Sequence, residues 1–139
     1  MKLTELMIGD LVLINNVPHK IQAIDSIDAE VQADDELYYV EEDRYDFEDK
    51  IEGIPITEDF FRENDWEYVC RTYLHKYFVK NVGKFHLQII NNKLYIWFDY
   101  SPDDWTQDAN VKAPIKYIHD IQHILRLYGL NELADNFKV

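Results

Sequence analysis

The feature that most constrains this fold is an alternation of apolar and polar residues on both sides of Asn91 and Asn92. The segments FHLQII and LYIWFDY, before and after the two asparagines, are typical of paired β-strands. Asparagine tolerates the left-handed backbone of a tight turn, so we expect the pair at the turn. Side chains two residues apart share one face of a strand, and these would be Phe85, Leu87 and Ile89, then Leu94, Ile96 and Phe98. The pattern therefore predicts an antiparallel sheet in the second half of the chain.

The first 56 residues contain shorter apolar runs of the same kind. Residues 8–24 predict a hairpin that turns at Asn15 and Asn16. Further strands are expected at residues 28–33, 36–41 and 51–56. Five short strands in so few residues favour a small β-barrel, in which closure removes exposed edges.

Helical patterns begin after Pro55. Thr57 is a good N-cap for a short helix, ITEDFFREN, that docks through aromatic side chains. A strand over residues 67–79 and the hairpin above make a three-stranded sheet, and a last helix runs from Ile115 to Tyr128 and ends at Gly129. We therefore predict an α+β fold with a small barrel in residues 1–56. Residues 57–139 form the helix, the sheet and the terminal helix packed on that sheet, as a second domain or as one globule with the first.

Charge is distributed unevenly along the chain. The net charge is −13, which argues against general binding to nucleic acid and to anionic membranes. Thirteen acids and two bases lie in residues 25–52, whereas residues 68–98 hold five bases and no acid. Strands disfavour Asp and Glu, so the sheet itself could explain the second segment, which could also face the acidic segment within one molecule.

Two functional interpretations of this asymmetry stay open. The acid-free sheet could bind an acidic partner or a single-stranded nucleic acid, with Lys76, Lys80 and Lys84 as candidate contacts. The aromatic residues that could stack on bases are Tyr73, Tyr77, Tyr95 and Trp97. Alternatively, the acidic segment could imitate nucleic acid and occupy a basic groove on another protein.

The terminal helix carries His119 and His123 four residues apart, as a metal pair requires. The metalloprotease pattern has Glu after the first His, but this chain has Asp120, and no familiar spacing selects a third ligand from Glu132 or Asp135. On a helical wheel Ile118, Ile121 and Leu125 form the apolar face, and both histidines fall on the polar side. We therefore expect the imidazoles to face water and predict no metal, with these two residues as the weak candidates.

Other catalytic sets are missing from the sequence. Cys70 is the single cysteine and is expected to be a small buried residue. The four glycines form no phosphate-binding loop, and neither Ser26 nor Ser101 lies in a nucleophile elbow. We predict no catalytic residues and no cofactor. Without a signal peptide or a long apolar run, the chain is expected to be cytoplasmic and to have no membrane partner.

Three motifs together resemble a known group. They are Gly9-Asp10 in the opening hairpin, Pro55-Ile56-Thr57 before the short helix, and Tyr117, His119 and Gln122 in the terminal helix. The chain resembles small proteins without assigned activity that phages and mobile elements of gut Bacteroidetes encode, although Asp65 stands where that group has Gly after the Asn. The resemblance implies a prophage or mobile-element origin, and the first 55 residues are similar to an SH3-like barrel.

These observations predict a non-enzymatic accessory protein that acts by binding another protein. The first alternative is a metal-dependent hydrolase that uses the HDIQH helix. The second alternative is binding of single-stranded nucleic acid by the 68–98 sheet. The sequence leaves the oligomeric state open.

Overall fold

A computed structural model describes residues 3–26, 28–39, 49–72, 75–104 and 106–139. It confirms a mixed α+β fold, with two antiparallel sheets and three short α-helices in the described residues. The strands are β1 Leu11–Ile14, β2 Val17–Asp25, β3 Glu30–Ala33, β4 Glu36–Tyr39, β5 Ile51–Gly53, β6 Glu67–Thr72, β7 His75–Val82, β8 Phe85–Ile90, β9 Lys93–Trp97 and β10 Val111–Pro114. The helices are α1 Glu58–Glu63, α2 Ile118–Leu127 and α3 Asn131–Asp135, and a 3₁₀ turn spans Leu3–Glu5.

The chain divides into two compact units. The first unit contains residues 1–55, 117–137 and 139, and the second contains residues 56–116 and 138. Residues 40–48 lie outside the described residues. They include the end of the strand predicted at 36–41 and five of the thirteen acids counted in residues 25–52. Tyr73 also lies outside them.

The first unit is built on an antiparallel sheet with the strand order β4-β3-β2-β1-β5. The predicted first hairpin is confirmed, because Asn15 and Asn16 have φ of 50° and 67° between β1 and β2. Its core contains Val12, Ile14 and Ile21. The described strands form no closed barrel, since β4 and β5 stand at opposite ends of the order and do not pair. The predicted closure was therefore wrong for the described strands, and a bulge in β2 between Ile21 and Ala23 bends this sheet instead.

The terminal helix also belongs to the first unit, which corrects our prediction that it packs on the second sheet. Helix α2 contacts β1 and α3. Its apolar face is confirmed, because Ile118, Ile121 and Leu125 are all buried. The left-handed cap is confirmed as well: Gly129 has φ of 77°, and the backbone nitrogen of Leu130 donates to the Leu125 oxygen at 2.8 Å.

The second unit contains a five-stranded antiparallel sheet in the order β10-β9-β8-β7-β6. The hairpin of β8 and β9 is confirmed, with Leu87 opposite Ile96 and Ile89 opposite Leu94 across it. We expected three strands. The run that we took for one strand contains β6 and the start of β7, and the polar loop ends in β10.

Helix α1 packs on one face of this second sheet. The Thr57 hydroxyl accepts a hydrogen bond from the Phe60 nitrogen at 3.2 Å, which confirms the predicted N-cap. Phe60, Phe61 and Trp66 are buried, as expected. The ring of Phe61 stacks on that of Phe78 in β7, with centroids 5.0 Å apart. The helix therefore covers the side of the sheet on which Phe78 lies. No helix in the described part of the chain is long and apolar enough to cross a membrane.

Candidate functional site

The face of the second sheet opposite Phe78 carries aromatic and polar side chains. Residues directly opposite each other in an antiparallel pair share a face, so the register identifies this set. We call it the aromatic face, and its members include Glu67, Val69, Tyr77, Val79, Asn81, His86, Gln88, Tyr95 and Trp97. The side chains of Tyr77, Gln88 and Trp97 are only half-buried. The face of the sheet that points away from α1 is therefore an accessible surface with aromatic rings.

A loop after β9 forms one wall of a groove over this face. The indole nitrogen of Trp97 donates to the Gln107 backbone oxygen at 3.0 Å, and the Gln107 side chain accepts from the Ser101 nitrogen at 3.1 Å. These two bonds hold the loop beside the sheet. The groove has a volume of about 700 Å³, and its lining includes Tyr77, Gln88, Trp97, Tyr100 and Gln107. That volume lies in the range of protein pockets that hold small molecules or side chains.

Four rings on this side of the sheet contact one another. His86 stacks on Tyr100, with centroids 3.9 Å apart and planes 9° apart. Tyr95 and Trp97 are also near parallel at 6.2 Å, and the ring of His86 meets Trp97 at 62°. Rings that pack in this way have little rotational freedom, so the groove has a preformed aromatic floor.

The contacts of His86 fit the neutral form of its ring. Its Nδ1 lies 2.6 Å from the side-chain amide oxygen of Asn81, which can only accept, so Nδ1 carries the proton. The Gln88 amide nitrogen, at 2.9 Å, donates to Nε2. Burial lowers the pKa of His86 below its ordinary value. Because both ring nitrogens form hydrogen bonds, the ring holds the side chains of Asn81 and Gln88 in place and is poorly placed for proton transfer.

Cationic side chains occupy one part of the groove lining. Arg71 and Lys76 line it, and Asp104 is the acid in the lining. Of the three predicted lysines, only Lys76 lies here. The amine of Lys80 donates to the Asn64 oxygen at 3.2 Å, and the amine of Lys84 is 3.8 Å from the Asp99 carboxylate. The predicted basic patch is therefore not assembled from these three residues.

The sequence-based selection of aromatic residues was closer to the structure. Tyr77 and Trp97 line the groove, and Tyr95 lies on the same face. We missed Arg71, His86 and Tyr100 as groove residues. The turn that we predicted at Asn91 and Asn92 already implied that His86 lies opposite Trp97, and this pairing was not used; Tyr100 lies beyond the strand.

The two histidines of α2 are placed differently from our prediction. His119 is 5% exposed, so the expectation that it faces water was wrong. Its ring stacks on Tyr117 and lies 5.5 Å from the ring of His123. Burial lowers the pKa of His119, although the nearby Asp120 and Asp10 carboxylates oppose that shift.

His123 contributes to a buried charge cluster in the first unit. Its Nε2 lies 2.7 Å from the Asp10 carboxylate, whose second oxygen accepts from Arg126 at 2.8 Å. Asp10 is fully buried, and Arg126 also lies 3.2 Å from Asp135. A guanidinium at this carboxylate opposes a bound cation. In the described ranges, no three His, Cys, Asp or Glu side chains come together as metal ligands.

Gln122 is a second buried polar residue that the sequence reading did not identify. It is 0% exposed, and its amide oxygen accepts from the Leu11 nitrogen at 2.9 Å. Its amide nitrogen donates to the backbone oxygens of Gly9 and Ala134 at 3.1 and 3.0 Å. One side chain therefore joins α2 to the start of β1 and to α3.

Several motif residues from the resemblance meet in this first unit for structural reasons. Gln122 binds the backbone of Gly9, and Tyr117 forms a bridge with Pro55. A Cβ atom at Gly53 would lie 2.3 Å from the Tyr117 ring, so that position must be glycine for the ring to pack there. These contacts explain the motifs by packing and hydrogen bonding.

Cys70 is exposed on β6, which corrects the prediction that it is buried. The strand alternation is interrupted there by a bulge between Cys70 and Thr72, which the sequence did not signal.

Together, the fold and the groove define a mixed α+β protein with an open aromatic face on one of its two antiparallel sheets. Comparison of the chain with protein-family models, with curated proteins and with solved structures gave no match.

Proposed function

We propose that this chain is a non-enzymatic binding protein that holds a segment of another protein on the aromatic face. The observation that carries the proposal is the preformed groove of about 700 Å³ with Tyr77, Trp97 and Tyr100 in its lining. Trp, Tyr and Arg are the residues most enriched where a few side chains dominate protein–protein binding. The groove offers all three types, since Arg71 also lines it.

The charge distribution favours a protein over a nucleic acid as the partner. The second unit has nine acids and nine bases, whereas the first has eighteen acids and five bases. The net charge of −13 thus lies in the first unit, and the unit with the groove is neutral. A neutral surface attached to a strongly acidic unit gives no long-range attraction for phosphate.

The groove lining indicates what the bound segment contains. An aromatic or aliphatic side chain would bury apolar area against Tyr77 and Trp97. A carboxylate on the same segment would reach Lys76 in the lining. We therefore propose an extended segment with one large apolar residue and one acid as the bound element.

Selection of random linear peptides on the full chain tests this proposal. We expect enriched peptides to contain an aromatic or aliphatic residue near an acid. Isothermal titration should show that Tyr77→Ala and Lys76→Ala each weaken a selected peptide by about tenfold, which corresponds to about 1.4 kcal/mol. Thermal melts of each variant establish that it is folded.

Lys84→Ala is the matched control, because Lys84 is exposed and lies outside the groove lining. It should leave peptide affinity unchanged. If no peptide is enriched, or if Tyr77→Ala and Lys84→Ala bind a selected peptide equally well, the proposed binding face is wrong.

Binding of single-stranded nucleic acid is the second candidate. The stacked rings of His86 and Tyr100, and of Tyr95 and Trp97, are the observation that favours it, because bases stack on such rings. An unstructured oligothymidine would then bind with an affinity that falls steeply as salt rises and that Lys76→Ala weakens. Binding that is absent at low salt rules this candidate out.

Two finer proposals concern origin and fold. The strand order places β1 between β2 and β5, and the Asp49 nitrogen donates to the Tyr39 oxygen at 3.2 Å. Both features support an SH3-like arrangement of the first unit. The three motifs support an origin in a phage or mobile element, and we also propose a cytoplasmic location.

A further inference from the structure

Strand β6 is an exposed sheet edge. It pairs with β7 on one side, and in the described part of the chain no strand pairs with its other side. Five of its six residues are exposed, and Val69 is half-buried. A free edge presents unpaired backbone N–H and C=O groups to any strand that can align with it.

The other described edges are less suited to pairing. Strand β10 has four residues and ends at Pro114, which has no N–H to donate. Strand β5 has three residues and β4 has four in the described part of the chain. Strand β6 is the longest of these edges and carries charges of both signs, Glu67 and Arg71.

These two charges are placed symmetrically about Val69. In an antiparallel pair of identical strands, residues whose backbone N–H and C=O groups point away from β7 must face residues of the same kind in the second copy. Such residues alternate along the strand, so the residue numbers of a facing pair sum to an even number. When Val69 faces Val69 of a second copy, Glu67 faces Arg71 of that copy and Arg71 faces Glu67. The strand is thus complementary to itself in one permitted register.

Arg71 lies in the bulge between Cys70 and Thr72 and has no partner in β7, but the side-chain directions of Glu67, Val69 and Arg71 agree with this register. Glu67 lies opposite Val79 and Val69 lies opposite Tyr77, so both are on the aromatic face. Arg71 lines the groove on that face together with Val69. The two ion pairs would therefore form on the same side as the groove. Opposite charges that face each other across strands stabilise the pairing by about 0.2–1 kcal/mol each.

We propose that two copies of this chain associate through antiparallel pairing of their β6 strands, centred on Val69. The two sheets then form one continuous ten-stranded sheet with two grooves on the same face. This inference does not depend on the identity of the bound segment proposed above.

Charge reversal tests the register. Sedimentation equilibrium of the full chain should show a reversible dimer, and Glu67→Arg or Arg71→Glu alone should raise its dissociation constant by about tenfold or more, because like charges then meet. The double variant should restore the dimer. An equimolar mixture of the two single variants should form a heterodimer, since each then supplies the charge that the other needs.

Matched controls are Glu63→Arg and Lys93→Glu, two exposed residues outside β6. They change the net charge equally and should leave the dimer intact. A chain that stays monomeric at all concentrations overturns the proposal. A dimer that responds equally to the edge variants and the controls also overturns it, because the interface then lies elsewhere.

Disulfide cross-linking provides a second measurement. Val69→Cys in a Cys70→Ser background places two thiols directly opposite each other, at Cα separations of about 4.5–5.5 Å, which a disulfide can bridge. Mild oxidation should give a covalent dimer. Thr72→Cys in the same background should not cross-link, because the two residues would lie six positions apart along the paired strands. Equal cross-linking of both variants would contradict this register.

Discussion

Gln122→Ala should destabilise the protein more than any ordinary surface substitution. The change leaves the Leu11 N–H and two backbone carbonyls, those of Gly9 and Ala134, without this partner in a site that is fully buried. An unpaired buried donor costs about 1–3 kcal/mol, and a carbonyl that keeps a second lone pair costs less. Taking about 2 kcal/mol for the donor and about 1 kcal/mol for each carbonyl gives a loss of about 4 kcal/mol.

That loss is large against the ~5–15 kcal/mol by which domains are usually stable. Urea unfolding followed by circular dichroism measures it. Gln22→Ala is the matched control, because Gln22 is exposed and its amide accepts one hydrogen bond, from the Asp35 nitrogen at 2.9 Å. The control should cost less than about 1 kcal/mol. If both variants lose the same stability, Gln122 does not join α2 to β1 as we argue.

Three further predictions concern titration, core packing and a turn. Because burial lowers the pKa of His86 and of His119, the unfolded chain binds protons at these residues more readily than the folded chain does. The stability that the two residues contribute is therefore fully present above about pH 6.5 and is lost as the pH falls through their folded pKa values. A free energy of unfolding that stays constant in urea titrations from about pH 7.5 to about pH 5 would contradict this. Ile121→Ala and Leu125→Ala should each cost about 2–5 kcal/mol in thermal melts, and His119→Ala should also exceed the surface value of about 0.5 kcal/mol, since all three side chains are buried. Asn92→Gly should raise the melting temperature and Asn92→Ala should lower it, because this turn residue has φ of 62°.

The local elements were predictable because their signals lie within a few residues. Asn15 and Asn16, and again Asn91 and Asn92, adopt positive φ between paired strands, where asparagine is tolerated. Thr57 and Gly129 mark a helix start and a helix end through hydrogen bonds to near neighbours. In each case the residue type favours the backbone conformation that the structure shows at that position.

The position of the terminal helix was not predictable in the same way. Its apolar stripe shows which residues are buried but not which sheet they pack on. The polar residues on it are buried by partners that are far away in sequence: Gln122 and Leu11 are 111 positions apart, and His123 and Asp10 are 113 apart. A helical wheel places such residues toward water unless these partners are known.

The candidate site was only partly predictable for a related reason. Charge counts pointed to the part of the chain that contains the groove but treated Lys76, Lys80 and Lys84 as one group. Positions 76 and 80 lie by alternation on the Phe78 face, opposite the aromatic face; Lys76 still contributes to the groove lining, whereas the Lys80 amine binds carbonyls at the end of α1. Aromatic residues at alternate positions were the better signal, since Tyr95 and Trp97 lie on one strand and need no long-range information.

Stability and binding should be separable in this chain, and that separation makes the proposals testable. All the hydrogen bonds of Gln122 described above lie within the first unit, and the residues that line the groove lie within the second. A substitution at Gln122 should therefore lower the free energy of unfolding while peptide affinity at Tyr77 and Trp97 is retained below the unfolding transition. A substitution at Tyr77, which is only half-buried, should do the reverse. If each variant lost both stability and peptide affinity, the shape of the groove would depend on the folding of the whole chain. Binding could then not be assigned to the aromatic face alone.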